Sequence, residues 1–172
     1  MIDVIADHTG VRNSHSGRAE GPPNRERPSI EPDSIGCEVS LAASAVKVLI
    51  VEDSSIVRER LAALIADIGH VAIVGQAGDG FQAEALFRQH RPDAVVLDIQ
   101  LPGISGLDLL AQFKREQPEC VVMVLTTYAF KEFRQRCVAL GADYFFDKSA
   151  EYERVIEVLG KLPPRRELKN EG

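Results

Sequence analysis

The sequence predicts an α/β fold in which five βα units build one doubly wound, five-stranded parallel sheet. Three observations predict it. Between Val46 and Leu162, five short apolar runs alternate with amphipathic stretches. The runs are nearly continuously apolar and are β-branched or aromatic, as strands buried on both faces must be. Right-handed crossovers through the intervening helices then give a sheet covered on both sides.

The first run, Val46–Val51, leads to Ser54, which can cap a helix whose Val57, Leu61, Leu64, Ile65 and Ile68 share one face. Gly69 is the expected stop. The second run is Val71–Gln76, and Asp79 or Gly80 opens a helix with Ala83, Leu86 and Phe87 inward. The third run is Ala94–Leu97, and Ser105 opens a helix that turns Leu109, Leu110 and Phe113 inward and ends before Pro118. Val121–Leu125 is the fourth run, followed by a helix near Phe130 to Leu140 that stops at Gly141. Tyr144–Phe146 is the fifth, with a last helix near Ala150 to Leu162 ended by Pro163-Pro164. Gly75-x-x-Gly78-x-Gly80 does not have the G-x-G-x-x-G order of a dinucleotide loop and reads as a turn.

Residues 1–44 differ in character. Pro22, Pro23, Pro28 and Pro32 stand among Arg, Glu, Ser and Asn, with too little apolar surface to offset ordering entropy, so this extension is expected to be disordered. The folded domain is expected at 45–162, with 163–172 a flexible tail and no second folded domain at either end. The start, Met1-Ile2-Asp3-Val4, lacks the basic and apolar segments of a secretory signal. Leu41–Val51 is interrupted by Lys47 and is too short to span a bilayer. A net charge of −6 argues against nucleic acid or an anionic membrane as the main partner. Cys37, Cys120 and Cys137 are odd in number and form no C-x-x-C pair, which argues against a disulfide framework or zinc site and for a reducing, cytoplasmic setting. His8, His15, His70 and His90 have no mutual ligand spacing.

Ligands of open parallel sheets bind beyond the carboxyl ends of the strands. The residues there are Glu52 and Asp53 after the first run, Asp98 after the third, Thr126 and Thr127 after the fourth, and Asp147 and Lys148 after the fifth. Carboxylates brought together repel and stay ionised only with a cation between them. An all-oxygen set suits Mg²⁺ rather than Zn²⁺. Such a site leaves room for a phosphate oxygen, Lys148 supplies a positive charge for another, and Thr126 a hydroxyl for a third. Asp98 is left as the nucleophile of an aspartyl phosphate. Taken singly each signal has a plainer reading. Glu52 and Asp53 could be acids at a helix N-terminus, Asp98 a turn residue before Pro102, and Lys148 a surface charge. Their conjunction at four strand ends favours a site.

The stretches Val48-Leu49-Ile50-Val51-Glu52-Asp53-Ser54, Leu97-Asp98-Ile99-Gln100-Leu101-Pro102-Gly103-Ile104-Ser105-Gly106, Leu125-Thr126-Thr127 and Gly141-Ala142-Asp143-Tyr144-Phe145-Phe146-Asp147-Lys148 carry a resemblance. Ala77-Gly78-Asp79-Gly80-Phe81-Gln82-Ala83 adds to it. Together, from Val46 to Leu162, they resemble the receiver domain of two-component response regulators, a flavodoxin-like fold. The resemblance implies that Asp98 is the phosphoacceptor. Asp53 would be a direct metal ligand, Glu52 its acidic neighbour acting through water, and the Gln100 backbone carbonyl the third protein ligand. Thr126 would be the switch hydroxyl, Lys148 the phosphate-binding lysine and Phe145 the aromatic switch, with Tyr144 as its adjacent competitor. Two positions depart from the family pattern. Thr127 stands where a small residue is usual, and Ser149 stands where proline is usual; a trans 148–149 bond and capping of the last helix by Ser149 are expected.

The function implied is a stand-alone, non-enzymatic response regulator in phosphorelay signalling. Asp98 would take a phosphoryl group from a histidine kinase or phosphotransfer protein in the presence of Mg²⁺. Repacking of Thr126 and Phe145 would then reshape the face of the fourth helix, fifth strand and fifth helix, where a target protein or second copy binds. Lys131, Arg134 and Arg136 would bias partner choice. Gln100 and Tyr128, two residues past Asp98 and Thr126, would flank the water that hydrolyses the phosphoryl group, and the Tyr128 ring would slow it. Three other readings compete. A phosphohydrolase of the haloacid-dehalogenase type needs a second acid two residues after its nucleophile, where Gln100 stands. A flavodoxin-like cofactor carrier would have Glu52 and Asp53 repelling its phosphate. A receiver acting without phosphorylation, as a binding module, has no need of the complete residue set.

Overall fold

The computed structural model describes residues 45–164. The extension expected at 1–44, with Cys37, His8 and His15, lies outside the described residues, as does the tail beyond Pro164.

Five strands, β1 (Val46–Val51), β2 (Val71–Ala77), β3 (Ala94–Leu97), β4 (Val121–Thr126) and β5 (Tyr144–Asp147), alternate with five helices. These are α1 (Ser55–Ala66), α2 (Gly80–His90), α3 (Gly106–Glu116), α4 (Lys131–Ala139) and α5 (Tyr152–Lys161). All pairings are parallel, in the order β2-β1-β3-β4-β5, with an irregularity in the β1–β2 register between Val48 and Leu49. The expected fold class is the one observed.

Each sheet face carries its own core. Leu49, Val51, Val95, Leu97, Val122 and Val124 point to the side covered by Phe87 of α2, Leu109, Leu110 and Phe113 of α3 and Cys137 of α4. Val48, Ile50, Val96, Met123 and Phe146 point to the side covered by Leu61 and Ile65 of α1 and Val155 and Leu159 of α5. The period-two alternation of strand side chains produces this split. Phe87 and Phe113 stack at 4.0 Å between ring centroids and tie α2 to α3.

Several boundaries differ from expectation. Ser54, Asp79 and Ser105 cap their helices, accepting bonds from the amides of Val57, Gln82 and Leu107. Ser149 does not cap α5. Its amide donates to Asp147 Oδ1 within a turn, and Glu151 occupies the cap position. Gly69 does not end α1; the helix stops at Asp67, whose N–H bonds the Ile65 carbonyl. Gly141, with φ +97°, does follow α4. The left-handed residue closing α2 is Arg91, a non-glycine with φ 47°. Leu64 leaves the core and lines a groove with Ile156. As an edge strand, β2 is only half-buried over most of its length. The described peptides are all trans, including 148–149. No described helix is long and apolar enough to cross a membrane.

Candidate functional site

The carboxyl ends of β1, β3, β4 and β5 converge, and the sheet register explains why. Val51 pairs with Leu97, Leu97 with Val124, and Thr126 with Asp147, so the residue following each strand emerges on one edge. One carboxylate oxygen from each of Glu52, Asp53 and Asp98 lies within 4.8 Å of the others. Glu52 and Asp98 are buried and Asp53 is exposed, so the cluster opens to solvent on the Asp53 side. Glu52 and Asp53 precede the Ser54 cap rather than sitting in the first turn of α1, so service to the helix dipole does not account for them.

Lys148 bridges the two buried acids. Its Nζ donates to Glu52 Oε2 and to Asp98 Oδ2, each at 2.7 Å. The other oxygens are used as well. Glu52 Oε1 accepts from the Ser54 amide at 3.2 Å and Asp98 Oδ1 from the Gln100 amide at 3.0 Å. Burial drives the Glu52 carboxyl above its usual range; Lys148 pulls the other way without cancelling it, and the Asp98 charge adds to the rise. Burial alone would lower the Lys148 ammonium, but the hydrogen bonds and charges of Asp98 and Glu52 outweigh it and hold it above its ordinary range. Thr126 is fully buried at the end of β4, and its Oγ1 accepts the Tyr128 amide at 3.2 Å.

Four of the expected site residues therefore meet, Glu52, Asp53, Asp98 and Lys148, and Thr126 ends the adjacent strand β4. Gln100 is exposed in the β3–α3 loop and touches the site through its backbone amide. Phe145 is turned inward at 6 % exposure, whereas Tyr144 is 40 % exposed and stacks on Phe146. Arg134 of α4, expected with Lys131 and Arg136 to bias partner choice, engages Phe145. Its guanidinium lies 4.6 Å from the Phe145 ring centroid and donates to the Phe145 carbonyl at 3.2 Å. Arg58 was not singled out by sequence reasoning, yet it contacts the carbonyls of Glu52 and Asp53. Its signal was weak, an arginine six residues past Glu52 beside Glu59 and Arg60 on the same helix.

Three carboxylates gathered within 4.8 Å, reached from solvent on the Asp53 side, can hold a hard divalent cation such as Mg²⁺. A carboxylate beside that position, with an ammonium 2.7 Å away, can take up a phosphoryl group.

The protein-family model of the response regulator receiver domain matches residues 48–160, which contain every residue of this site. The chain belongs to the response regulator receiver family. The response regulator GacA of Pseudomonas aeruginosa is 34 % identical over 117 residues, covering 68 % of this chain and 55 % of that protein. Protein-glutamate methylesterase/protein-glutamine glutaminase 1 of Caulobacter vibrioides is 36 % identical over 118 residues, covering 68 % of this chain and 34 % of that protein. The chain thus spans between a third and about half of the length of these curated relatives, and the methylesterase name describes a much longer protein. Among solved structures, a response regulator of Burkholderia pseudomallei with a phosphorylated aspartic acid, calcium ion and citrate matches with a TM-score of 0.60 and 28 % identity. That match covers 66 % of this chain and 65 % of that one. Membership of the receiver family places the described domain in phosphorelay signalling, as the sequence resemblance implied.

Proposed function

We propose that this receiver accepts a phosphoryl group on Asp98 from the phosphohistidine of a kinase or phosphotransfer protein, with Mg²⁺ bound beside it. The observation that carries the reading is the meeting of Glu52, Asp53 and Asp98 within 4.8 Å, with Lys148 against Asp98. The phosphorylated aspartate and calcium ion named for the Burkholderia protein support it.

Asp53, Asp98 and the Gln100 carbonyl would hold the cation, with Glu52 acting through water. When bound, the cation neutralises phosphoryl oxygens and replaces part of the charge that Lys148 now supplies. The chain's own residues do the rest. An Asp98 carboxylate oxygen forms the new O–P bond as the P–N bond of the donor breaks, and the electron pair leaves with the imidazole. Lys148 stays close to Asp98 and stabilises the equatorial charge. The Thr126 hydroxyl offers a donor to a phosphoryl oxygen, and Phe145 on the neighbouring strand responds by repacking. The receiver then acts by presenting its α4–β5–α5 face to a target protein or a second copy, through a shift of population. Its own fold carries no turnover chemistry, because Gln100 stands where a phosphohydrolase would need a second acid. The setting is cytoplasmic, and nucleic acid and membrane are not direct partners.

Intact-mass spectrometry tests this. Wild type and Asp98→Asn are incubated with a small phosphodonor, with and without Mg²⁺. Wild type with Mg²⁺ should gain one phosphoryl mass and Asp98→Asn none. Equal uptake by both proteins, or none by wild type from any donor, overturns the assignment.

A further inference from the structure

We infer that Arg58 is a positioning residue for the divalent-cation site, fixing the β1–α1 backbone so that Asp53 faces Asp98; this rests on the cation-site reading given above. Arg58 stands at the end of the first turn of α1, its own N–H bonded to the Ser54 carbonyl at 2.9 Å. Its side chain reaches back over the loop. Nη1 donates to the Glu52 carbonyl at 2.6 Å and to the Asp53 carbonyl at 3.4 Å. Room for the guanidinium comes from Gly78, where a Cβ would lie 3.3 Å from Nη1.

The two acids differ in what holds them. Glu52 is fixed independently, by its N–H to the Ala77 carbonyl at 2.9 Å and by its carboxylate to Lys148 and the Ser54 amide. Asp53 is exposed, and among the described residues no hydrogen bond fixes its carboxylate. The direction of the Asp53 side chain is therefore set by its backbone, and Arg58 is the side chain that grips that backbone. Groups behind metal ligands orient them and commonly govern affinity.

The charge on Arg58 separates this role from a general electrostatic one. A cationic side chain beside the loop repels an incoming divalent ion, so charge alone predicts that removing it tightens binding. Positioning predicts the reverse.

The test is calorimetric titration of Mg²⁺ into metal-free wild type, Arg58→Met, Arg58→Lys and Asp53→Asn. It is combined with thermal melts by circular dichroism and hydrogen exchange of residues 52–54 without metal. Arg58→Met should weaken Mg²⁺ binding about tenfold, keep its circular dichroism spectrum and speed exchange at the Ser54 amide. Arg58→Lys, with one compact donor group for two carbonyls, should fall between it and wild type. Unchanged or tighter binding by folded Arg58→Met overturns the inference while leaving the site reading intact, provided Asp53→Asn has lost binding. If Asp53→Asn binds like wild type, or wild type binds no Mg²⁺, the site reading and the inference fail together. Should Arg58→Met not fold, Arg58→Lys decides by the same criterion: weaker binding supports the role and unchanged binding overturns it.

Discussion

The Lys148 ammonium lies 2.7 Å from a carboxylate oxygen of Asp98, with 13 % and 4 % of the two side chains exposed. Glu52 completes the triad from the other side. Without the lysine, two buried carboxylates would face each other uncompensated. Lys148→Met should therefore lose about 3 kcal/mol of stability at neutral pH in the absence of Mg²⁺, measured by urea unfolding, and regain part of it when Mg²⁺ is added. An unchanged midpoint would show that the triad contributes nothing net.

The same triad sets a pH dependence. The folded Glu52 carboxyl lies above its ordinary value of 4.5. Folded protein then binds more protons than unfolded protein in this window, so the Glu52 contribution is present below 4.5 and lost as pH rises through the elevated value. In Lys148→Met the opposing pull of the lysine is gone, so the rise is larger. The stability gap between wild type and this variant should narrow as pH falls through the Glu52 titration. A gap constant between mildly acid and neutral pH would contradict the assignment.

Gly106 opens α3 against the backbone that carries Asp98. A Cβ there would lie 2.4 Å from the Ile99 Cα and 2.6 Å from the Asp98 carbonyl oxygen. Neither neighbour is a flexible side-chain end, so Gly106→Ala must displace the β3–α3 loop. The expected loss is about 1–3 kcal/mol, read as a lower Tm, with slower phosphoryl uptake at Asp98. A variant as stable and as reactive as wild type would mean that α3 moves freely.

Tyr128 lines a cavity with Ile99, Gln100 and Leu101, and its ring packs edge-on against Phe130 and Phe133 at 6.1 Å each. These contacts hold a bulky group against the β3–α3 loop that follows Asp98. Tyr128→Ala should shorten the half-life of the phosphorylated protein about tenfold, a barrier change of about 1.4 kcal/mol. Loss of phosphate over time, followed by mass, gives the answer. An unchanged half-life removes the ring from the path of water.

Cys120 is buried, and burial pushes its thiol up to about 12. Cys137 is buried too, and burial raises it likewise. The thiolate is the reactive species. At pH 8 both should resist alkylation in the native protein and react fully in denaturant, as read by peptide mapping. Rapid native labelling at Cys120 would show that α3 or β4 opens readily.

Much of this domain was legible in the chain. Nearly continuous apolar, β-branched runs such as Val46–Val51 and Val121–Leu125 read as strands buried on both faces, and their spacing by helical stretches favours parallel pairing. Topology then carries Glu52, Asp53, Asp98, Thr126 and Lys148 to one edge, because each directly follows or ends a parallel strand. Boundaries were less legible where a local signal competed with tertiary context. Ser149 offered a cap, but it sits in a turn with its amide on the Asp147 carboxylate, and α5 starts only after Glu151. Gly69 offered a stop, but α1 had already ended at Asp67.

By itself, then, the sequence determined the βα alternation, the sheet and the identity of the acids and lysine at its edge. These follow from periodicities and strand ends that are local along the chain. Tertiary structure alone decided how those groups divide their charges: that Lys148 spans Glu52 and Asp98, that Phe145 rather than Tyr144 turns inward beneath Arg134, and that Arg58 reaches the Glu52 and Asp53 carbonyls. Such contacts depend on distances of a few ångströms between strand ends and helix faces, which spacing in the chain does not encode and packing of the two cores does.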